Sequence, residues 1–431
     1  MKNKNSNLGD QMYGWAKDLF PIYRCLTGKG VRETLGYISQ ILPDLEIKSV
    51  KTGTKAFDWE VPMEWEIFEA YIEDGNGQKI VDIEKNNLHL VGYSQPIDQW
   101  IDLDELQNHL HSLPDQPNAI PYVTSYYSEN WGFCLKHSQR EKLKDDKYRV
   151  VIKSRLFKGN LNYGELIIPG ASKKEVLLST YICHPSMANN EISGPVVSSA
   201  LGRWLLDRKN NFYTYRIIFI PETIGSIIYL SKNLEHLKSS VIAGFNITCV
   251  GDDNCYSLLP SRNGSTLSDR VARHTLQHIE PNFIEYPWLR RGSDERQYCS
   301  PGIDLPITSI MRSKYAEYAE YHTSLDDLTF ISPEGLNGAF EAIKKSILGI
   351  EYNCTLENTV LCEPQLGKRN LYQQISKVEL MPQNAMILNL LSYSDGTNDL
   401  LKIADIIGVP IIELYKVAKE LIANNLLKEI K

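Results

Sequence analysis

The residues that could do chemistry are two histidines and several carboxylates, far apart in the chain but each beside an apolar run. His184 follows the run 176–182, and Asn189, Asn190 and Glu191 stand a few positions on. Glu222 follows the run 216–220, Ser293 and Asp294 precede the run 306–310, and His322 comes after it in Tyr321-His322-Thr323. Imidazole nitrogens and carboxylate oxygens are zinc donors, and a zinc ion with an open position brings the pKa of bound water near neutrality. A lone histidine after a strand is more often a hydrogen-bonded structural residue. His, carboxylate, carboxylate, His, each at the end of a candidate strand of one sheet, instead make a metal site.

Such a set needs a scaffold that brings strand ends together. Residues 176–182 are mostly apolar, with only Ser179 and Thr180 between, as in a strand covered on both faces, and Val197, Ala200, Leu201, Trp204 and Leu205 then repeat at helical spacing. The result is a β-loop-α unit, and in open α/β sheets ligands collect at the carboxyl ends of strands. Pro185 cannot continue a ladder and Gly194 suits a tight helix entry, so the loop between them is held. The alternation continues through candidate elements at 216–220, 226–236, 242–250, 268–278, 306–311 and 335–351, which predicts a mostly parallel sheet with helices on both faces. Leu336, Phe340, Ile343 and Ile347 give the last helix its buried stripe.

The flanks have a different texture. Met12, Trp15, Ala16, Leu19 and Phe20, then Leu35, Ile38 and Leu42, predict two opening helices. From about residue 50 the chain alternates and is crowded with Trp59, Trp65, Phe68, Tyr71, Tyr93, Trp100, Tyr122, Tyr126, Tyr127 and Trp131, with a Gly75-Asn76-Gly77 hairpin signal. These aromatics are expected mainly as sheet core, and His89, His109, His111 and His137 as structural or surface residues. Residues 377–431 hold three short helical patterns and a closing strand near 426–430, the outline of a winged helix.

Taken together, the chemical residues resemble the motifs of the co-catalytic zinc aminopeptidase clan. The matching positions are His184, the loop Ala188-Asn189-Asn190-Glu191-Ile192-Ser193-Gly194, Glu222 with Gly225-Ser226, Ser293-Asp294 with Tyr298, and Tyr321-His322-Thr323. Cys183-His184-Pro185-Ser186 and Pro221-Glu222-Thr223-Ile224-Gly225-Ser226 are closer to one bacterial branch, which has an inserted β-rich domain and a C-terminal winged helix and is often associated with surface-polysaccharide gene clusters. The resemblance implies an α/β fold: an exopeptidase-like domain from residues 1–49 and 166–352, an inserted all-β domain at 50–165 and a winged helix at 377–431. It also implies roles. Zinc would be held by His184, a loop carboxylate and His322, Glu222 would be the general base, and Asp294 would bind a substrate ammonium or orient a ligand.

The loop departs from the clan by carrying Asn189 and Asn190 where aspartates stand. Glu191 restores a carboxylate, so it is the expected metal ligand, and one zinc ion is expected in place of two. Pro221-Glu222 replaces the clan's Glu-Glu pair, and the next ligand would fall near Thr248 or Cys249, with Asp252 and Asp253 behind. The implied activity is amide hydrolysis on a small peptide, in its simplest form removal of an N-terminal residue. The alternatives are an amide of an amino sugar or surface-glycan precursor, or ligand binding without catalysis.

Composition bounds the partners. With 431 residues, 42% hydrophobic residues and a net charge of -7, the chain has core enough for two or three domains and no general attraction for nucleic acid or anionic membrane. Residues 377–431 carry six Lys, no Arg and seven acidic residues, a net of -1, so the winged helix is expected to contact protein, within the chain, in a partner or in a second copy. Eight scattered cysteines without a Cys-x-x-Cys pair, a polar N-terminus and no run long enough to span a bilayer predict a cytoplasmic protein.

Overall fold

A computed structural model describes residues 6–126, 128–369, 371 and 382–430. Tyr127, the first five residues and the opening of the expected winged-helix segment at 377–381 lie outside the described residues. Two helices open the chain, α1 (Ser6–Leu19) and α2 (Lys29–Ile41), with Met12, Ala16, Leu19, Val31, Leu35 and Ile38 buried. The second packs on the large sheet and the first on the helices at 193–207 and 333–352, because their apolar positions recur on one face.

That sheet has eight strands among the described residues. In chain order they are β1 (Glu46–Lys51), β6 (Asn160–Ile168), β7 (Glu175–Tyr181), β8 (Thr214–Ile220), β9 (Val241–Asn246), β10 (Ser257–Leu259), β11 (Ile284–Glu285) and β12 (Ile307–Met311), following β2 to β5 of a second sheet. Their spatial order is β1-β6-β8-β7-β9-β12-β10-β11. The centre, β8-β7-β9-β12, is parallel. The flanking pairs β1-β6, β6-β8 and β10-β12 are antiparallel, so the sheet is mixed. Every residue of β7 is buried, its apolar members as a strand covered on both faces requires, and its polar Glu175 and Ser179 with partners, Arg216 and the Tyr298 hydroxyl.

Helices α3 (Ser193–Asp207), α4 (Ile224–Ser240), α5 (Leu267–Ile279) and α7 (Pro333–Tyr352) cover the sheet, with the single turn α6 (Glu295–Tyr298) beside the site. Buried Arg216 on β8 pins the interior edge: it holds Glu175 through Nε and Nη2 at 2.7 and 3.0 Å and Glu165 at 2.6 Å.

Between β1 and β6 the chain leaves to build the second sheet, ordered β3-β2-β5-β4 from β2 (Glu64–Glu73), β3 (Lys79–Asp82), β4 (Ile97–Asp102) and β5 (Lys147–Phe157), all neighbours antiparallel. The Gly75–Gly77 signal is the turn between β2 and β3. Because β1 and β6 pair with each other in the large sheet, the excursion runs from about residue 52 to residue 159, inside the limits 50–165 drawn from sequence. Trp65, Tyr71, Tyr93 and Tyr148 are core there, whereas Phe68 and Trp100 are exposed. His89 bonds the Cys134 carbonyl at 2.6 Å and His109 stacks on Trp131 at 3.6 Å, both structural roles.

The C-terminal unit contains β13 (Thr355–Asn358), α8 (Pro382–Tyr393), β14 (Asp395–Asp399), α9 (Leu400–Ile407), α10 (Ile411–Ala423) and β15 (Leu427–Ile430). Its sheet is ordered β14-β13-β15, so the unit starts at 355, earlier than 377. Asp395 and Gly396 are the first residues of β14, directly after α8 and Ser394. His274 of α5 fastens this unit to the large domain: Nδ1 meets Asp405 at 2.6 Å and Nε2 accepts the Ile411 N–H at 2.9 Å. Arg270 adds two 2.7 Å bonds to Asp399, and Tyr352 stacks on Tyr415 at 4.2 Å. No helix among the described residues is long and apolar enough to cross a membrane, and all eight cysteines are free.

Candidate active site

His184 leaves β7 with its ring between two carboxylates. Nδ1 is 2.9 Å from Glu191 Oε2, and Nε2 is 3.6 Å from Glu222 Oε2. Burial disfavours the charged ring, yet the hydrogen bond and charge of Glu191, with Glu222 beyond, hold the His184 pKa above its ordinary value. Arg24, fully buried after α1, donates Nε to the His184 carbonyl at 2.9 Å and lies 3.3 Å from Glu191 Oε1. Sequence reading missed Arg24, because nothing in its surroundings marks it as reaching the site.

Glu222 leaves β8 beside Thr223, whose φ of 63° is uncommon for a β-branched residue. Asp294 holds that turn: one oxygen accepts the Thr223 N–H and the Ser226 hydroxyl, each at 2.8 Å. Ser293 donates to Glu222 Oε1 at 2.9 Å, and the Glu222 N–H meets Cys183 Sγ at 3.1 Å. Burial raises the Glu222 pKa above the usual carboxylate range, and burial with the Glu222 charge pushes Asp294 up to about 7.

His322 is brought in by two contacts, one within the large domain and one from the β-rich excursion. Asp326, four residues on, accepts the N–H groups of Asn189 and Asn190 at 2.6 and 2.9 Å, which ties the His322 loop to the one following His184. Tyr122 of the β-rich excursion donates its N–H to the His322 carbonyl at 2.8 Å and sets its ring edge-on to both His184 (5.2 Å) and His322 (5.1 Å). Tyr321 stacks on His322 at 3.9 Å. Burial, reinforced by His184, pushes the His322 pKa down to about 3, so this ring is neutral with a lone pair to offer.

His184, Glu222, His322 and Tyr122 line one cavity of about 370 Å³, together with Trp59, Tyr126, Thr223, Ile224 and Arg296 among others. Two of the expected site residues are not among its lining. Glu191 approaches His184 from behind, and its carboxylate is engaged by the imidazole and Arg24, so in this arrangement it orients a ligand atom without presenting its own. Asp294 is fully buried beneath the Glu222 turn, where it cannot meet a substrate ammonium. Asn189 is spent on the Gly251 N–H and on Asp252, and Asp252 on Ser313, so these two are structural, while Asn190 donates to the Tyr181 hydroxyl at 2.8 Å and its buried Oδ1 has no hydrogen-bond partner among the described residues.

The spacing of the His184 and His322 rings is close to that of two ligands on one ion. Two imidazoles on a four-coordinate zinc with N–Zn of about 2.0–2.1 Å have centroids roughly 5 Å apart. Those of His184 and His322 are 5.6 Å apart, with Glu222 Oε2 beside His184 Nε2. Glu191 on Nδ1 fixes the tautomer that leaves Nε2 free to ligate. Among the described residues the one grouping of three or more His, Cys, Asp or Glu whose donor atoms all lie within 4.8 Å of one another is Cys183, His184 and Glu191, without His322 or Glu222. Burial holds the Cys183 thiol far above its ordinary pKa and Arg24 flanks Glu191, so this cluster supports the histidine.

A mixed α/β sheet with helices on its faces, its site residues at the ends of central strands, and a C-terminal winged helix define an aminopeptidase-like hydrolase fold. The structure superposes on a zinc aminopeptidase from Bacillus subtilis (TM-score 0.60, 13% identity, 80% of this chain and 95% of that one). It also superposes on a peptidase M28 precursor from Shewanella amazonensis (TM-score 0.55, 12% identity, 78% and 95%), and at such identities the likeness is one of fold. The particular family follows from sequence: residues 13–353 match the model described as "Domain of unknown function (DUF4910)", to which this chain belongs, and residues 354–429 match "winged helix-turn-helix". A Clostridium acetobutylicum relative, "Putative polysaccharide biosynthesis protein with aminopeptidase-like domain", is 42% identical over 98% of this chain and 97% of its own length. A crystal structure of a putative peptidase from the same organism has a TM-score of 0.93 at 40% identity, covering 99% of this chain and 97% of that one.

Proposed function

We propose that this protein is a metal-dependent amide hydrolase working with a single zinc ion. The observation that carries the reading is the meeting of His184, His322 and Glu222, from three separate stretches of chain, on one cavity. His184 and His322 would hold the ion, Glu191 fixing the ring of the first. Bound zinc supplies a polarised carbonyl and an acidified water. Glu222, with its pKa raised by burial and Oε1 anchored by Ser293, takes a proton at Oε2 and returns it to the leaving amine. Tyr122 and Tyr126 wall the cavity and limit solvent. A peptide is the simplest substrate for the fold. The name of the Clostridium relative favours, as a second reading, an amide in a polysaccharide precursor.

Metal content tests the site. Wild type is expected to carry about one zinc per chain, lost in His184→Ala and in His322→Ala; equal zinc in all three proteins refutes the assignment. Glu222→Gln keeps an oxygen donor and loses basicity. It is expected to retain zinc while turnover of the best substrate in an amide panel falls about 10²–10⁴-fold; loss of zinc would make Glu222 a ligand.

A further inference from the structure

The charges on the cavity wall bear on the substrate. Among the described residues lining it, Glu222 is the sole carboxylate, since Asp294 and Glu191 stand behind the wall. An enzyme that removes an N-terminal residue needs an anion for the substrate's ammonium, and a Glu222 committed to proton transfer leaves none. The wall offers a guanidinium. Arg296, exposed on α6, donates Nη2 to the Thr223 hydroxyl at 2.7 Å and lies near enough to Glu222 to favour its charge. No carboxylate among the described residues lies within ion-pair distance of Arg296, whereas nearby Arg262 and Arg290 are paired with Asp304 and Glu317. The fork is therefore held in place by Thr223, next to the proton acceptor, with donors to spare.

We infer that the substrate is an amide bearing an anionic group, carboxylate or phosphate, close to the scissile bond, and that Arg296 binds this group. The inference rests on the hydrolase reading and names its substrate class. Arg296 determines specificity, and its planar fork selects an oxyanion over an ammonium by charge and by paired hydrogen bonds. The aromatic wall of Trp59, Tyr122 and Tyr126 would cover the uncharged part of the ligand.

Calorimetry on the zinc-loaded full chain tests this with matched probes. N-acetyl-L-leucine is set against N-acetyl-L-leucinamide, N-acetylglucosamine 1-phosphate against N-acetylglucosamine, and L-leucinamide serves as the ammonium arm. At least one anion is expected to bind tenfold or more tightly than its neutral partner, and which pair responds distinguishes carboxylate from phosphate. Arg296→Gln should abolish the preference and Arg296→Lys restore part of it. For any turned-over anion, Arg296→Gln should raise KM with kcat little changed. Equal binding of both pairs, stronger binding of L-leucinamide, or an anion preference that survives in Arg296→Gln would overturn the inference. Anion preference without turnover of any amide would sink the hydrolase reading and leave the binding assignment standing; hydrolysis of leucine anilide without anion preference would do the reverse.

Discussion

Replacing Glu191 by glutamine tests how the buried carboxylate acts. Arg24 dictates which way the new amide faces: its guanidinium has only donors, so the amide oxygen must turn toward it and the NH2 group toward His184 Nδ1. Nδ1 must then accept, the ring proton moves to Nε2, and the nitrogen facing Glu222 and the cavity loses its lone pair. Changes to groups that orient metal-ligating histidines typically cost 10–100-fold in affinity, roughly 1.4–2.7 kcal/mol. Zinc affinity, measured by competition with a chromophoric chelator, should fall by that factor, while the urea midpoint moves little because Arg24 keeps an oxygen partner. Glu191→Leu differs: it strands a buried guanidinium and should cost about 3–5 kcal/mol of stability. Wild-type affinity in Glu191→Gln would refute the tautomer argument, and total zinc loss matching His184→Ala would make Glu191 a direct ligand.

Other perturbations read separate parts of the structure. Asp294→Ala removes the one oxygen that accepts both bonds of the Thr223 turn and should cost about 2–3 kcal/mol in urea denaturation with zinc retained, since the hydrogen bonds are to a buried carboxyl. Burial alone would raise the pKa values of Glu165 and Glu175, but bonds from Lys48, Tyr229, Arg216 and His236 hold both below the ordinary range. Their stabilisation is thus full above the unfolded glutamate value of about 4.3 and lost as pH falls through the lower folded values. The urea midpoint should drop across that acid window, and Arg216→Met, costing about 3–5 kcal/mol at neutral pH, should flatten the drop. Gly194→Ala would drive a methyl to 2.4 Å from Thr180 Oγ1 and 2.5 Å from the Ile247 carbonyl, for a loss of about 1–3 kcal/mol in thermal unfolding. For the winged helix, whose α10 packs against the large domain through the Ile411 N–H and Tyr415, a duplex-DNA mobility shift should show no complex at physiological salt; a salt-sensitive complex would contradict the charge count.

Much of the scaffold is legible in the chain because it is written in local patterns. The mostly apolar run at 176–182, the helical stripe at 336–347 and the turn before β3 each carry their own local signal, and each forms as that signal demands. The resemblance of short motifs placed His184, Glu222 and His322 at strand ends, and the fold puts them on one cavity. Where a role depended on direction, sequence had no purchase. Glu191 and Asp294 are the right residue types a few ångströms from where they were expected to act, but Glu191 faces Arg24 and Asp294 faces the Thr223 N–H, and no spacing rule encodes which side of a strand end a carboxylate takes. Tyr122 and Arg24 were invisible for a related reason, since both reach the site across more than 60 residues of intervening chain. Sequence by itself determined the α/β architecture, the ligand types and the low positive charge of the winged helix, because periodicity and composition are properties of short stretches. Only tertiary structure decided which carboxylate faces the cavity and that a guanidinium bonded to Thr223 stands at its wall, because those depend on contacts between segments that meet only when the chain is folded.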